Sequence, residues 1–382
     1  MVDLAFAATN PCHLYPLAQA ASSLSPNVTF YSGYPQWRLP RPYPARLHTH
    51  SGRVLVTYGL LRLPERFRPR SRTLFLWQDR DFDRWVGSKL SKHDFVHAMP
   101  GQALETFRKA KALDVRTVLN HATGPSRNWI EIMREEYQRV GLTLDQATVY
   151  DESFLERESK EYTLADLHCA ASTVVKKQLV ATGISPERIW MVPYGADPKV
   201  FYPRRNSSAG QFRIIFAGYV SLRKDVITLL SALQKLRRKE WRVDFYGGVA
   251  GEVRQDIDSY SGETPLYFHG PVSQNDLAQK MRESSILVLP SLEEGFGLVV
   301  AQALSCGTPC IVSEAVGAKD LLKNRENGSV FPVKDSEALS EELIFWANRP
   351  GRVTGDFSWT QPAETLLRLS ESARENREMQ AI

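Results

Sequence analysis

The sequence is short of cysteine, of long apolar runs and of targeting signals. Four cysteines among 382 residues are too few and too dispersed for a disulfide framework or a four-thiolate metal site. No stretch approaches the roughly eighteen uninterrupted apolar residues that a membrane-spanning helix needs, and residues 1–11 lack the basic start of a signal peptide. We therefore expect a cytoplasmic protein whose chain begins with a buried strand.

Acidic residues are scarce in one part of the chain. The first 116 residues carry seventeen basic and eight acidic side chains, whereas the net charge of the whole chain is +5. The excess lies between Arg38 and Arg72 and would suit an anionic membrane surface or an acidic acceptor. A solvated Pro/Arg loop explains it as well, and we favour the loop because no amphipathic helix is predicted beside the charge. Nucleic-acid binding is not expected, since no recognised module is visible.

What the sequence does have is a regular alternation of apolar runs and helical stretches. With 43% hydrophobic and 24% charged residues, the chain is typical of a globular protein of two domains. The alternation predicts an α/β fold of doubly wound Rossmann-like domains, in which ligands lie outside the carboxyl ends of parallel strands. In the first domain, strands are predicted at 3–8, 28–31, 73–77, 95–97, 116–120 and 167–170, with a last one within 186–203.

A polar, glycine-containing stretch at 204–211 is typical of a linker and ends the first alternation. We therefore predict a first domain over residues 1–203 and a second over 204–360. Strands of the second domain are predicted at 213–217, 242–246, 266–269, 286–289, 310–313 and 329–332. An amphipathic helix is also predicted over 128–142, with Glu135 and Glu136 on its solvated face.

Residues 291–313, SLEEGFGLVVAQALSCGTPCIVS, are predicted to form a glycine loop, a helix from about Leu298 and a strand. Gly295 and Gly297 permit backbone conformations closed to other residues and the close approach of a ligand. Unpaired N–H groups at the start of the helix favour an anion. With Glu294 at the mouth of the loop to bind sugar hydroxyls, this arrangement indicates a nucleotide-sugar site. The alternative is a strand–turn–helix unit whose glycines only ease packing.

Asp79 and Asp81 follow the predicted strand at 73–77 and imitate a D-x-D metal motif. Closely spaced carboxylates of this kind can hold a divalent ion against a diphosphate. Asp81 would also cap a helix that starts at residue 82. We favour the cap, and no metal site is predicted.

The segment EGFG at 294–297, followed by VVAQALSCGTP, resembles the donor site of family 4 retaining glycosyltransferases of the GT-B fold. The resemblance implies two Rossmann-like domains that face a cleft. In that family a second Glu usually stands eight residues after the first and holds the nucleotide ribose. Here Gln302 replaces it, and an amide can still bond a diol. The donor-binding residues implied in this segment are Gly295, Phe296, Gly297, Leu298 and Gln302.

A second segment, GYVSLRKD at 218–225, matches a basic loop of the same family. Two adjacent cations after a strand suit a diphosphate leaving group, whereas a solvated basic turn is the alternative. Many family members have Arg where this chain has Tyr219 and Gly where it has Asp225, and Arg223 would replace the missing Arg. The resemblance implies donor contacts from Gly218, Arg223 and Lys224.

Three further positions complete the resemblance. HGPV at 269–272 is similar to the segment that receives the nucleotide base, which implies a contact at Val272. Residues 357–371 resemble the terminal helix of the family, so a helix over about 361–382 is expected to pack on the first domain. His121 stands where the family places a group that contacts the donor sugar. A merely hydrogen-bonded histidine is the alternative there.

The resemblance implies a retaining, metal-independent enzyme that moves a sugar from a nucleotide diphosphate sugar to a hydroxyl acceptor, in glycan, polysaccharide or glycolipid synthesis. No cofactor is expected beyond the donor. Two other functions stay open. One is an inactive sugar-nucleotide-binding partner subunit, and the other is a GT-B sugar-nucleotide epimerase. The expected catalytic residues are Glu294 to orient the donor sugar, Lys224 and Arg223 to assist the leaving diphosphate, and His121 beside the reacting carbon.

Overall fold

The computed structural model describes residues 1–145, 150–203, 210–349 and 351–380. Its first half contains strands β1 (Leu4–Ala8), β2 (Val28–Ser32), β3 (Arg46–Thr49), β4 (Phe95–Ala98), β5 (Arg116–His121), β6 (Leu167–Ala170) and β7 (Ile189–Met191). These form one parallel sheet in the order β3-β2-β1-β4-β5-β6-β7. The order reverses direction at β1, as in a doubly wound fold whose ligands bind where the order changes.

The second half repeats this architecture with a smaller sheet. Its strands are β8 (Arg213–Ala217), β9 (Arg242–Tyr246), β10 (Leu266–Gly270), β11 (Ile286–Leu289), β12 (Cys310–Ser313) and β13 (Gly328–Phe331). They pair in parallel in the order β10-β9-β8-β11-β12-β13. Central strands such as β11 and β12 are buried along their whole length, which explains their unbroken apolar sequence. The prediction of two doubly wound domains is confirmed.

Helices cover both sheets. Those of the first half are α1 (Leu14–Leu24), α2 (Gly52–Leu60), α3 (Ser71–Lys89), α4 (Leu104–Ala112), α5 (Ser126–Arg139), α6 (Glu152–Leu164) and α7 (Thr173–Ala181). Those of the second are α8 (Val226–Leu236), α9 (Arg254–Asp258), α10 (Gln274–Glu283), α11 (Leu298–Ser305), α12 (Ser336–Ala347) and α13 (Thr360–Gln380). No helix within the described residues combines the length and apolar composition that crossing a bilayer requires.

One predicted strand is wrong, because residues 73–77 belong to helix α3. The buried positions of this helix include Leu74, Gln78, Phe82 and Val86, which recur every four residues and lie on one helical face. Asp81 is therefore inside the helix and not at its start. It contacts Nε2 of His50 at 3.0 Å, so it is not the cap that the sequence suggested.

Glu136 is also placed differently from its prediction. Its side chain is buried on α5, where it pairs with Arg139 at 2.6 Å and with Lys334 at 2.6 Å. Lys334 follows β13, so the carboxylate joins the two halves of the chain. A buried carboxylate held by two cations is a structural contact and not part of a solvated face.

The chain passes between the two halves in two segments, and these segments lie side by side. The N–H of Ala196 donates to the carbonyl of Phe357 at 2.8 Å, and Ala196 forms a parallel bridge with Ser358. Beyond this point α13 packs along α1, and Arg374 donates to the carbonyl of Met1 at 2.9 Å. The predicted linker residues 204–209 and the last two residues of the predicted terminal helix lie outside the described residues.

Candidate active site

The glycine loop, residues 290–297, runs from β11 to α11 as predicted. Gly297 has a φ of +91°, in the left-handed region that side chains other than glycine rarely adopt. The helix starts directly after it at Leu298, and Gly297 offers no side chain to cap the first N–H groups. These groups therefore give the loop a positive end suited to an anion.

Gly295 has a structural role in addition to the ligand approach that was predicted for it. A Cβ atom at this position would clash with the carbonyl oxygen of Ala122 and lie 2.5 Å from the Cα of Thr123. The carbonyl of Gly295 accepts a hydrogen bond of 2.6 Å from Ser172 Oγ. Both contacts come from loops of the first sheet. Gly295 therefore lets the two domains touch.

Four charged side chains meet behind the glycine loop, and we call Arg223, Lys224, Glu293 and Glu294 the charged cluster. Lys224 Nζ is ion-paired with Glu294 Oε2. Arg223 Nη1 lies 3.2 Å from the same oxygen and donates to the backbone carbonyl of Glu293 at 2.9 Å. The sequence placed these cations and this loop 70 residues apart, and the structure brings them into direct contact.

In the charged cluster, burial and the neighbouring opposite charges shift the pKa values of Lys224 and Glu294 in opposite directions. Burial lowers the pKa of Lys224 and Arg223 adds to this, while Glu294 opposes both. Burial alone would raise the pKa of Glu294, but Lys224 and Arg223 outweigh it and hold that pKa below its ordinary value. Glu294 is thus ionised at neutral pH, and its charge opposes the loss of the proton from the buried Lys224 ammonium.

Sequence reasoning missed Glu293. This side chain is only 3% exposed, and its Oε2 lies 3.5 Å from Arg223 Nη1, a separation longer than a hydrogen bond. Burial raises the pKa of Glu293. The signal was its place beside Glu294 in the glycine loop, and its carboxylate lies near the same Nη1 atom of Arg223 that contacts Glu294.

Backbone geometry explains one departure from the family pattern. Asp225 has a φ of +47°, a conformation in which glycine is favoured and Asp is tolerated. Its carboxylate accepts from the N–H of Thr228 at 3.2 Å and from the hydroxyl of Thr228 at 2.6 Å. Asp225 therefore caps α8 and offsets the backbone cost by a hydrogen bond that Gly could not make. Gly218 has a φ of +136°, and the space that a Cβ atom would occupy there borders the end of the Lys224 side chain.

Four other predicted donor residues differ in their burial and contacts. Phe296 is buried, with its ring 5.0 Å from that of Tyr194. Leu298 packs partly against the core. Gln302 donates to Gln274 Oε1 of α10 at 3.2 Å. Val272 is exposed after β10.

His121 lies inside the first domain. Its side chain is 1% exposed, and its Nε2 is 3.0 Å from Nδ1 of His168. Its ring stands edge-on to Tyr162. Burial lowers the pKa of His121 well below its ordinary value, so the ring is neutral. The structure thus shows a hydrogen-bonded histidine behind the 122–124 loop, and its contact with a donor sugar stays a prediction.

The second half of the chain matches a known family. Residues 201–374 match the sequence model of the family described as glycosyl transferases group 1. A D-inositol 3-phosphate glycosyltransferase 1 from Catenulispora acidiphila is 27% identical over 251 residues, which are 57% of this chain and 60% of that protein. Sulfoquinovosyl transferase SQD2 from Arabidopsis thaliana is 29% identical over 177 residues, 43% of this chain and 34% of that protein. The match thus spans less than two thirds of either relative.

Solved structures show a similar fold over the whole chain. A sucrose-phosphate synthase from Thermosynechococcus elongatus superposes with a TM-score of 0.69 at 18% identity, covering 98% of this chain and all of that one. Anabaena HepE in complex with UDP and glucose gives a TM-score of 0.65 at 14% identity, covering 99% of this chain and all of that one. The chain therefore has the GT-B fold, and its residues 201–374, less than half of the chain, match the glycosyl transferases group 1 family.

Proposed function

We propose that this protein is a retaining glycosyltransferase that moves a sugar from a nucleotide diphosphate sugar to a hydroxyl acceptor. The observation that carries the proposal is the charged cluster at the glycine loop. Two cations and the positive end of α11 converge where a diphosphate would lie, and Glu294 stands beside them to accept hydrogen bonds from sugar hydroxyls. The match of this half to glycosyl transferases group 1 supports the same conclusion.

The proposed reaction exchanges one bond to the anomeric carbon for another. The bond between that carbon and the diphosphate oxygen breaks, and its electron pair stays on the diphosphate. Lys224, Arg223 and the N–H groups of α11 stabilise the charge that grows there. The acceptor oxygen bonds to the anomeric carbon on the same face, and its proton passes to a phosphate oxygen of the leaving group. Fixed cations do the work of a metal ion, so we propose that none is required.

A nucleotide-sugar screen tests this function. A ligand at a hundred times its dissociation constant stabilises a protein by roughly 2.7 kcal/mol, so thermal shift against UDP-, GDP- and ADP-sugars identifies the donor. Product analysis with that donor then separates the alternatives. Sugar transfer supports the proposal, tight binding without turnover indicates a partner subunit, and an epimerised donor indicates an epimerase.

The acceptor pathway is proposed on more limited grounds. Two relatives are named for inositol phosphate and sulfoquinovosyl transfer, which supports synthesis of a small glycoside, glycan or glycolipid. A cytoplasmic location is proposed from the four free cysteines.

We further propose peripheral contact with an anionic membrane through the basic region 38–72. The structure places helix α2 in this region, although the sequence predicted none, and its Leu55 and Val56 are about half exposed. Trp37 and Phe67 are 70% and 62% exposed, and both lie beside arginine side chains. Basic residues near an anionic bilayer contribute about 1 kcal/mol each. Cosedimentation with phosphatidylglycerol vesicles but not with phosphatidylcholine vesicles is expected, and equal behaviour with both would contradict it.

A further inference from the structure

Glu293 differs from the other members of the charged cluster in how its charge is held. Its Oε2 atom is buried and accepts no hydrogen bond from any residue that the structure describes. The Nη1 atom of Arg223 is 3.5 Å away, which is longer than a hydrogen bond. Glu294, its neighbour in the chain, contacts both Arg223 and Lys224. The carboxylate of Glu293 is therefore the less well compensated of the two.

The hydrogen atoms of Arg223 explain this difference. Its Nη1 atom carries two of the N–H groups of the guanidinium. One is used by the backbone carbonyl of Glu293 at 2.9 Å, and the other by Oε2 of Glu294 at 3.2 Å. The ammonium of Lys224 is also ion-paired with Oε2 of Glu294. Glu294 therefore takes the contacts of both cations, and the side chain of Glu293 has only a longer-range attraction to them.

The charges of the cluster cancel when both of its carboxylates are ionised. Arg223 and Lys224 contribute two positive charges, and the two glutamates contribute two negative ones. A nucleotide diphosphate sugar carries one negative charge on each phosphate, and neither phosphate titrates near neutral pH because each has only one acidic oxygen. A neutral cluster attracts such an anion less strongly than a cluster with a net positive charge. Loss of one negative charge from the cluster would therefore strengthen binding.

Glu293 is the carboxylate of the cluster that accepts a proton more readily. Burial raises the pKa of Glu293 and Arg223 lowers it, while Glu294 raises it and Lys224 lowers it, with a net rise. These are the charged side chains that act on Glu293 in the part of the chain that the structure describes. Burial would also raise the pKa of Glu294, but Lys224 and Arg223 hold it below its ordinary value. A bound diphosphate adds a negative charge nearby and so raises the pKa of Glu293 further.

This effect needs no contact between Glu293 and the ligand. Charges act on one another over several ångströms, and they are screened least where water is excluded. Arg223 Nη1 lies within 3.5 Å of both carboxylates, so a diphosphate held by Arg223 would lie close enough to act on Glu293. The side chain of Glu293 is 4% exposed, which leaves a path for a proton from water.

We propose that binding of a nucleotide diphosphate sugar at the glycine loop is coupled to the uptake of one proton by Glu293. The proton comes from solvent and converts the carboxylate into a neutral acid, and no bond of the ligand changes in this step. The inference rests on the proposed glycosyltransferase function and adds a pH control to its donor site. Glu293 acts through Arg223 and through the charge of the cluster, so it is a positioning residue.

The pH dependence of donor binding follows from this proton count. Glu293 keeps its proton to a higher pH in the complex than in the free protein, so the complex carries more protons between the two pKa values. Donor affinity is therefore greatest below the pKa of the free protein. It falls as pH rises and becomes constant above the pKa of the complex. Uptake of one proton corresponds to a loss of affinity of about tenfold per pH unit at its steepest.

Isothermal titration calorimetry measures the proton count. The probe is the UDP-, GDP- or ADP-sugar that gives the largest thermal shift, titrated between about pH 5 and 8 in buffers of different ionisation enthalpy. The slope of the binding enthalpy against the buffer enthalpy gives the number of protons taken up. Glu293→Gln has the shape of the protonated acid and cannot titrate, and Glu293→Ala removes the charge if the amide variant does not fold.

Glu240→Gln is the matched control for these variants. It removes the same charge from the same domain, but Glu240 precedes β9, at the opposite edge of the sheet from the charged cluster. Its side chain is 58% exposed and lies 3.6 Å from that of Arg238. Proton uptake and donor affinity should be the same in Glu240→Gln as in the wild type.

Uptake in the wild type should approach one proton per bound ligand, and Glu293→Gln should show none. At pH values where wild-type affinity has become constant, Glu293→Gln should bind the donor more tightly, on the order of tenfold, because its cluster is already positive. Wild-type binding without uptake, uptake that persists in Glu293→Gln, or no gain in its affinity would each overturn the inference and leave the proposed function intact. Failure of every nucleotide sugar to bind would overturn the glycosyltransferase function, and the inference with it.

Discussion

The carboxyl edges of the two sheets differ in how their polar groups are satisfied. At the second sheet, Glu294 is held by Lys224 and Arg223, so these three charges are paired with one another before any ligand arrives. At the first sheet, Asp79 and Asn10 each keep a buried acceptor atom without one. An edge whose charges are paired and fixed is organised in advance for an anionic ligand.

The largest effect should follow from changing the carboxylate of the charged cluster. Glu294→Gln removes charge-assisted bonds worth about 1.5–3 kcal/mol each, and Lys224 then loses the partner that opposes the lowering of its pKa. Turnover should fall on the order of a thousandfold or more. The loss should deepen as pH rises, because Lys224 gives up its proton more readily. A pH–rate profile parallel to that of the wild type would contradict the pairing.

Removing the cation should cost somewhat less. Part of the attraction between Lys224 and the leaving diphosphate appears only as the glycosidic bond breaks, so it acts on turnover. Lys224→Ala should reduce kcat about a hundred- to a thousandfold, and Lys224→Arg should recover part of it. Lys235→Ala is the control, because Lys235 lies on α8 and pairs with Glu337 at the surface. A variant that only raises KM would show that Lys224 holds donor and transition state equally.

At the carboxyl edge of the first sheet, the expected effect of a substitution is a gain in stability, whereas the substitutions above cause a loss of turnover. The pKa of Asp79 is about 6 in the folded protein against an ordinary 3.8. The folded state therefore binds more protons between these values, and stability falls as pH rises through them. Asp79→Asn should stabilise the protein at pH 7.5 by up to about 3 kcal/mol and have little effect near pH 4. Denaturant unfolding at both pH values measures this, and equal effects at the two would contradict a strained carboxylate.

Substitutions of Gln302 test whether the donor site extends beyond the charged cluster. If its amide holds the nucleotide ribose, Gln302→Leu should weaken donor binding by about 1–3 kcal/mol, whereas Gln302→Glu should retain activity. Gln274→Leu is the control, since it removes the present partner of Gln302 and leaves Gln302 itself unchanged. Donor binding by the Leu variant at wild-type strength would exclude Gln302 from the site.

The smallest effect should come from chelation. Arg223 and Lys224 supply the positive charge, so EDTA should leave turnover unchanged. Full loss of turnover in EDTA, restored by manganese or magnesium, would show that a metal ion is required at the donor site.

The loops at the carboxyl edge of the second sheet could be identified from the sequence, because their residues belong to short, recognisable motifs. The glycine loop, the start of α11 at Leu298 and the basic turn at Arg223 and Lys224 all follow from short motifs beside apolar strands. The contact that joins them is tertiary and could be inferred only from the family resemblance. Glu293 was missed because nothing in a sequence shows that one of two adjacent carboxylates is buried.

The first edge was harder to predict for physical reasons. Residues 73–77 are apolar enough for a buried strand, and only the four-residue spacing of Leu74, Gln78 and Phe82 marks α3 as a helix. Strand β3 has a largely exposed, polar sequence at the margin of its sheet, so it lacks the apolar run of the others. Asp79 looked like part of a metal motif, because the residues around it at this edge come from six separate stretches of chain and the sequence does not show that they meet.

The paired crossings at Ala196 and Phe357 limit how the two edges can move. A single connecting segment would let one domain swivel freely, whereas two adjoining segments held together by a hydrogen bond permit bending about one common axis. Any widening between the halves would then be a hinge rotation about this pair of crossings, while α13 stays packed on α1 of the first half. Because both crossings lie at one place, the two edges would face each other in the same alignment at each closing.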